Sequence, residues 1–353
     1  MDIRQLLEQV VLHHSSDLHI KVGLPPVVRL VNGDLYPVEG LPPLAVEQIL
    51  EIGRQITSST KFSIFEEKNE VDFSYGLQNL GRFRVNFYME KDGPAIAFRV
   101  IPDQIPSAEA LLLPPVVHTL SLKPRGLVLV TGPTGSGKST TLASMIDFIN
   151  HNRRCHILTI EDPIEFVFEP VKAFITQREI DYHTKSFATA MRAAFRQDPD
   201  VIMVGEMRDL ETIAAAVTLA ESGHLVLSTL HTTDAPQTID RIIDVFPSHQ
   251  QQQIRMQLSL SLQGVISQTI IPRSDGKGRV VAFEIMIAND AVRNCVKESN
   301  VSQIYSMMQI GRAGGMQTLD DALNILYKKG LITREAALSK AHDAEFLNRI
   351  LSQ

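Results

Sequence analysis

The segment GPTGSGKS, residues 132–139, has the residue types and spacing that bind the phosphates of a nucleotide. It fits the pattern G-x-x-x-x-G-K-[ST] and stands between an apolar run, RGLVLVT, and a segment with helical periodicity. Glycines let the backbone wrap around a phosphate chain, so that N–H groups and the helix start point at the ligand. Lys138 reaches the terminal phosphates, and the hydroxyl of Ser139 is a ligand for Mg²⁺. The segment predicts an ATP and Mg²⁺ site with contacts from Gly132, Pro133, Thr134, Gly135, Ser136, Gly137, Lys138, Ser139 and Thr140.

Polar side chains end three more of the predicted strands. The run ILTI is followed by Glu161, Asp162 and, after a proline, Glu165, whereas VIMVG is followed by Glu206 and LVLSTL by His231. Ligands of an open parallel sheet bind beyond the carboxyl ends of its strands. These side chains are therefore expected to face the nucleotide phosphates, their metal ion and an attacking water.

The acidic residues fit the roles that ATP hydrolysis requires. Glu206, preceded by an apolar run, is interpreted as the Walker B acid that holds Mg²⁺ partly through water. Glu165 is interpreted as the base that orients the attacking water, with Glu206 as the alternative base. Glu161 and Asp162 would support them. Alternatively, these last two acids cap a helix or pair with arginines of the segment MRAAFR.

Two histidines bracket the run LVLSTL. Seven extended residues separate His224 from His231 by roughly 23 Å and place the side chains on opposite faces, so the pair cannot share a metal ion. His231 lies at the nucleotide end and is interpreted as a sensor of the γ-phosphate. His224 is predicted either to contact the nucleotide or to be structural.

The elements that must position these residues form a second domain, predicted over residues 108–353. Its apolar strands alternate with helices, which is typical of a parallel sheet covered on both faces. Residues 1–100 instead predict a small α+β domain with a hairpin turn at Asn32–Gly33. Residues 101–107 are predicted to be a linker, with a hinge near Pro102 and Pro106.

Composition weighs against several classes of function. The net charge is −6, the chain has no Trp and only 6% aromatic residues, and we therefore expect no nucleic acid partner. Cys155 and Cys295 are too few for a disulfide framework or a four-cysteine zinc site. No run approaches the ~20 apolar residues of a membrane span, and the N-terminus does not resemble a signal peptide. We expect a cytoplasmic protein with no direct membrane insertion.

Taken together, the motifs resemble those of the type II/type IV secretion ATPase family and, within it, the PilT-type pilus retraction ATPases. The Asp box of the family is similar to LTIEDPIEF, its Walker B region to IMVGEMRDLET and its His box to STLHTTDA. Further similar segments are SDLHI, GRFRVNFY, RQDPD, GMQTLD and the hairpin that ends in EIMI. The resemblance extends from Ser16 to about Leu331.

The resemblance implies a RecA-like ATPase domain behind a PAS-like N-terminal domain, assembled as a homo-hexameric ring. It implies nucleotide near the junction of the domains, with arginines of the N-terminal domain completing the site. The matching segment offers Arg82 and Arg84, which alternate on one strand face; Arg99 and Arg178 are further candidates. The implied motor powers pilus retraction and twitching motility, and acts on a platform protein of the inner membrane at the pilus base.

The sequence favours retraction over pilus assembly within this family. Assembly and type II secretion members usually carry an additional N-terminal domain and a four-cysteine zinc module. This sequence, with only two cysteines, has no such zinc module. Residues 291–298, AVRNCVKE, are similar to the retraction motif AIRNLIRE but differ at four positions. This leaves an accessory PilU-type motor, or an assembly or type II secretion ATPase, as alternatives. A RecA-like DNA translocase and a nucleotide-sensing scaffold without hydrolysis are more remote ones.

Overall fold

The structure, a computed structural model, describes residues 2–13, 15–30, 33–78, 80–101 and 104–352. The chain divides into two compact units. The first comprises Met1–Gln104 and Pro163–Val167, and the second comprises Ile105–Asp162 and Phe168–Gln353. The predicted turn residue Asn32 and the predicted hinge residue Pro102 lie outside the described residues.

The first unit contains an antiparallel six-stranded sheet in the order β3-β2-β1-β6-β5-β4. The predicted hairpin is present, because Val27 pairs with Pro37 and Arg29 with Leu35. Helix and strand faces bury Leu7 and Phe83 in one core. The helices are α1 Ile3–Leu12, α2 Val46–Ile56 and α3 Ser59–Lys68, and the strands are β1 Asp17–Lys21, β2 Val27–Arg29, β3 Leu35–Pro37, β4 Glu70–Leu77, β5 Gly81–Glu90 and β6 Gly93–Ile101.

The second unit is built on a seven-stranded sheet in the order β13-β12-β7-β11-β10-β8-β9. All neighbours are parallel except β12 and β13, which form the predicted antiparallel hairpin. The strands are β7 Gly126–Thr131, β8 His156–Glu161, β9 Phe174–Glu179, β10 Val201–Val204, β11 Leu225–Leu230, β12 Leu262–Pro272 and β13 Arg279–Ile287. Every residue of β7, β10 and β11 is buried, as the apolar runs predicted for a sheet covered on both faces.

Helices cover this sheet and continue beyond it. They are α4 Val116–Ser121, α5 Lys138–Asn152, α6 Phe187–Ala194, α7 Leu210–Glu221, α8 Ala235–Asp244, α9 Ser248–Ser261, α10 Asp290–Lys297, α11 Ile304–Ile310, α12 Leu319–Lys328, α13 Arg334–Leu338 and α14 Ala344–Ile350, with 3₁₀ turns at Val301–Gln303 and Gly311–Gly314. The helical periodicity expected after the phosphate loop is that of α5, whose Leu142 and Ile146 are buried. Thr318 and Asp321 form a capping box at the start of α12.

The C-terminal helices α12, α13 and α14 pack with the β12–β13 hairpin around a core of their own. Leu323, Ala337 and Leu347 are fully buried there against Ile271 of β12. Within the described ranges, no helix is long and apolar enough to cross a membrane.

Candidate nucleotide site

The phosphate loop joins the carboxyl end of β7 to the start of α5. Three glycines have the positive φ values that other residues rarely adopt: +142° at Gly132, +77° at Gly135 and +88° at Gly137. A Cβ atom at Gly132 would lie 2.5 Å from the backbone oxygen of Gln268, so glycine is required there by space as well as by conformation. Gly137 is the N-cap of α5. Because it has no side chain, the first-turn N–H groups of α5 are left to an anionic ligand.

The side chain of Lys138 contacts the backbone of the loop. Its Nζ atom donates to the backbone oxygens of Gly132, at 2.8 Å, and Pro133, at 3.0 Å. The side chain is buried, whereas Pro133, Thr134 and Gly135 at the crown of the loop are exposed. The ammonium group is therefore held where a phosphate chain wrapped by the loop would meet it. Ser139 and Thr140 follow on the first turn of α5 and are half-buried.

A polar strip on β12 supports the loop, and sequence reasoning missed it. The hydroxyl groups of Thr131 and Ser267 are 2.8 Å apart. Beside them the side-chain amide of Gln268 donates to the backbone oxygen of Ser136 at 3.3 Å. Gln268 and Ser136 are each only 1% exposed. The one signal in the sequence was the polar pair Ser-Gln inside the apolar run GVISQTII.

Glu206 follows β10 and meets His231, which follows β11. The Nε2 atom of His231 lies 2.7 Å from Oε1 of Glu206, and Nε of Arg208 lies 2.7 Å from the same oxygen. Burial alone would raise the pKa of Glu206, but the hydrogen bonds and charges of Arg208 and His231 outweigh it and hold the pKa below its ordinary value. The structure thus brings together two predicted site residues and adds Arg208, which sequence reasoning missed.

Arg208 also connects this pair to the acids that follow β8. The hydrogen bond from Arg208 to Glu206 raises the pKa of Arg208, and the negative charge of Asp162 adds to that effect. Glu161 is the last residue of β8 and is buried, with 6% of its surface exposed. Its Oε1 atom accepts from the Thr159 hydroxyl at 2.6 Å and from the Gln177 amide at 3.3 Å. The charge of Asp162 thus acts on Arg208, whereas Arg192 of the segment MRAAFR forms an ion pair with Glu211.

The predicted site residues Glu165, Arg82 and Arg84 lie in the first unit, and so does the further candidate Arg99. Glu165 belongs to Pro163–Val167, the short segment that groups with that unit, and is half-buried. Arg82 and Arg84 project from β5 on the face opposite the buried Phe83. Arg82 donates to the Ser74 hydroxyl at 3.0 Å. Their contribution to the nucleotide site stays a prediction.

His224 lies at the opposite end of β11 from His231. In the register of β11 and β7, Leu225 pairs with Gly126 and Leu230 pairs with Thr131, so His224 is at the amino end. Its Nδ1 atom is 3.0 Å from the backbone oxygen of Leu219. The structure therefore does not bring His224 to the phosphate loop of its own chain.

No group of three or more His, Cys, Asp or Glu side chains in the described part of the chain could hold a metal ion by itself. The donors at this edge of the sheet include the hydroxyl of Ser139 and the carboxylate of Glu206. This set fits Mg²⁺, which keeps several waters and is held by one or two protein groups together with substrate phosphates.

Comparisons with known proteins show the family and the relatives of this chain. Residues 115–338 match the family of type II/IV secretion system proteins. The chain is 51% identical to the type IV pilus retraction ATPase PilT of Pseudomonas aeruginosa, over 97% of this chain and 98% of that protein. It is 39% identical to the type IV pilus ATPase PilU of the same organism, over 99% and 91% of the two chains.

A solved structure extends the similarity to the fold. The crystal structure of the pilus retraction motor PilT with bound ADP superposes with a TM-score of 0.92 at 46% identity and covers 99% of each chain. This confirms the predicted fold class, a small α+β domain before an α/β domain with a phosphate loop; the likeness of the first domain to PAS domains stays a prediction. The motif resemblance is also confirmed, and the chain belongs to the type II/IV secretion system protein family.

Proposed function

We propose that this protein is an ATP-hydrolysing motor that powers retraction of type IV pili, and thereby twitching motility. The observation that carries the proposal is the shared edge of the second sheet. There the phosphate loop with Lys138 follows one strand, and the paired Glu206 and His231 follow two others. Similarity to PilT over nearly the full length supports the coupling of hydrolysis to pilus retraction.

In the proposed reaction, the loop N–H groups and Lys138 hold the phosphates of ATP while Glu165 orients a water for attack on the γ-phosphate. Ser139 and Glu206 would hold Mg²⁺, which neutralises charge on the phosphate oxygens. Arg208 and His231 keep Glu206 ionised and fix its direction. Because His231 contacts Glu206 directly, its position can report which nucleotide is bound.

The working assembly that we propose is a homo-hexamer in which arginines of the first domain, Arg82 and Arg84, complete the site of a subunit. The ring would lie in the cytoplasm at the base of the pilus and act on an inner-membrane platform protein. Higher identity to PilT than to PilU supports the role of main rather than accessory retraction motor.

Hydrolysis by the purified chain tests the enzymatic part. We expect Mg²⁺-dependent ATP hydrolysis that is abolished by Lys138→Ala and unchanged by Lys123→Ala, a half-buried lysine between α4 and β7 and outside the loop. Glu165→Gln should bind ATP without hydrolysing it. Unchanged hydrolysis in Glu165→Gln would assign the base to another residue, first of all Glu206. Stimulation by DNA would favour a translocase instead.

A further inference from the structure

Glu284 is an acidic residue in the interior of the second unit, on β13, with 3% of its surface exposed. Its Oε1 atom accepts the backbone N–H of Ala235 at 2.9 Å. The carboxylate also accepts the backbone N–H of Leu319. Ala235 and Leu319 are the first residues of α8 and α12. One carboxylate therefore holds the starts of two helices that are far apart in the sequence.

The start of α8 depends on this contact. Its second residue, Pro236, has no N–H group, and the N–H of Gln237 is accepted by Asp234 at 2.8 Å. The remaining first-turn donor, the N–H of Ala235, is the one that Glu284 accepts. Ala235 is fully buried, so loss of the carboxylate would leave that donor without an acceptor and without water.

Helix α8 is in turn tied to the loop that carries His231. Only three residues separate His231 from α8, and the hydroxyl of Thr232 lies 2.7 Å from that of Thr238 on the helix. The Thr238 hydroxyl also donates to the backbone oxygen of Asp234 at 2.7 Å. His231 itself contacts Glu206 at 2.7 Å. The position of α8 therefore determines the position of the His231 ring relative to Glu206.

On the other side, the segment before α12 is paired to β13. Backbone hydrogen bonds of 2.7 and 3.0 Å join Ile285 and Gln317 in both directions. The Gln317 side chain donates to the backbone oxygen of Phe283 at 2.7 Å. Glu284 lies between Phe283 and Ile285 in the strand and accepts the backbone N–H of Leu319. The helices α12, α13 and α14, which share one core, are thus held by the same strand residue as α8.

We propose that Glu284 is a positioning residue of the nucleotide site, which joins the His231 loop to the C-terminal helices so that the two respond together to the bound nucleotide. The inference rests on the ATPase activity proposed above. Glu284 touches neither the phosphate loop nor Glu206 through any contact described above, and it acts through α8 and His231. It should therefore affect turnover rather than nucleotide affinity.

A double-mutant cycle on the full chain tests this. Glu284→Ala is expected to lower kcat for ATP by ~10-fold, a size typical of a lost transition-state contact, while the ADP dissociation constant stays within about twofold. In a His231→Ala background, Glu284→Ala should cause no further loss of kcat, because both substitutions act on the contact between His231 and Glu206. The control is Thr333→Ala, which removes the N-cap of α13 and should leave kcat unchanged.

Two results would overturn the proposal: kcat of Glu284→Ala equal to that of the wild type, or the same loss in both backgrounds. If Glu284→Ala does not fold, Glu284→Gln, which keeps one acceptor oxygen, is put through the same cycle and judged by the same criterion. If the wild type hydrolyses no ATP, the proposed function fails and hydrogen exchange decides about Glu284. Faster exchange of backbone amides in Glu284→Ala than in the wild type, at the starts of both α8 and α12, would support the link that Glu284 makes between the two helices. Faster exchange at α12 alone would contradict it.

Discussion

The Nε2 atom of His231 lies 2.7 Å from Oε1 of Glu206, although the two residues end different strands of the sheet. Parallel pairing of β10 and β11, with Val204 opposite Ser228, brings the two strand ends side by side. Arg208 contacts the same carboxylate oxygen. The acid that we assign to Mg²⁺ is therefore held from two directions, by one residue near it in the chain and one far from it.

Removal of the histidine should slow the chemical step. We expect His231→Ala to reduce kcat for ATP by roughly 10- to 100-fold, as loss of an oriented charged contact does, with little change in ADP binding because the phosphate loop is intact. Steady-state kinetics and a fluorescent nucleotide titration measure the two quantities. His224→Ala, at the other end of β11, is the matched control. If it reduced kcat as much as His231→Ala, the assignment of His231 to the site would be wrong.

Two glycines of the phosphate loop should respond differently to alanine. Gly132→Ala places a Cβ atom 2.5 Å from the backbone oxygen of Gln268 at a φ of +142°, so the loop must move. In Gly135→Ala the added Cβ atom has no atom within 4 Å, so the substitution strains only the backbone, which has a φ of +77° there. We expect Gly132→Ala to abolish ADP binding and Gly135→Ala to weaken it. Calorimetric titration measures both, and the reverse order would contradict the described loop geometry.

Gln268 should contribute to nucleotide affinity more than to stability. Its Oε1 atom is buried without a hydrogen-bond partner among the described residues, whereas its amide group donates to Ser136 of the loop. Gln268→Leu removes the buried oxygen that has no partner and also the hydrogen bond to Ser136. Because one change is favourable and the other is unfavourable, the free energy of unfolding should change by less than about 1 kcal/mol. Affinity for ADP should fall about 5- to 10-fold as the loop loses its support. The exposed Gln253→Leu serves as control; an unchanged affinity in Gln268→Leu would show that the contact does not matter.

The stability of the protein should depend on pH through Glu284. Burial raises the pKa of Glu284 from 4.5 to about 7, the N–H of Ala235 opposes the shift, and the negative charge of Asp234 adds to it. Between these two values the folded chain keeps a proton that the unfolded chain has released. The contribution of Glu284 to the free energy of unfolding therefore decreases as pH rises through this window, by up to ~1.4 kcal/mol per pH unit.

Glu284→Gln should remove this decrease of the free energy of unfolding with pH. Chemical denaturation followed by circular dichroism, at several pH values between 4.5 and 7, measures it for wild type and variant. The exposed Glu298→Gln should behave as the wild type does. A slope that persists unchanged in Glu284→Gln would show that another group is responsible.

Local patterns in the sequence predicted the elements of the site but not all of its contacts. The phosphate loop and the strand ends at Glu206 and His231 depend on neighbouring residues in the sequence, and both are present. The support from Gln268 depends on β12 pairing with β7, more than 100 residues earlier. The period of 2 along a strand tells which side chains face the core, but not which distant strand it will pair with. Arg208 was missed although it is only two residues from Glu206, because spacing alone does not tell which acid an arginine side chain contacts.

The central claim, retraction of pili, is tested most directly by counting surface pili in the host after deletion of the gene. We predict excess pili by electron microscopy together with lost surface motility. Both should be restored by the wild-type gene and by Lys123→Ala, but not by Lys138→Ala or Glu165→Gln. Cells without pili would contradict the account, because they would show that the motor assembles pili instead of retracting them.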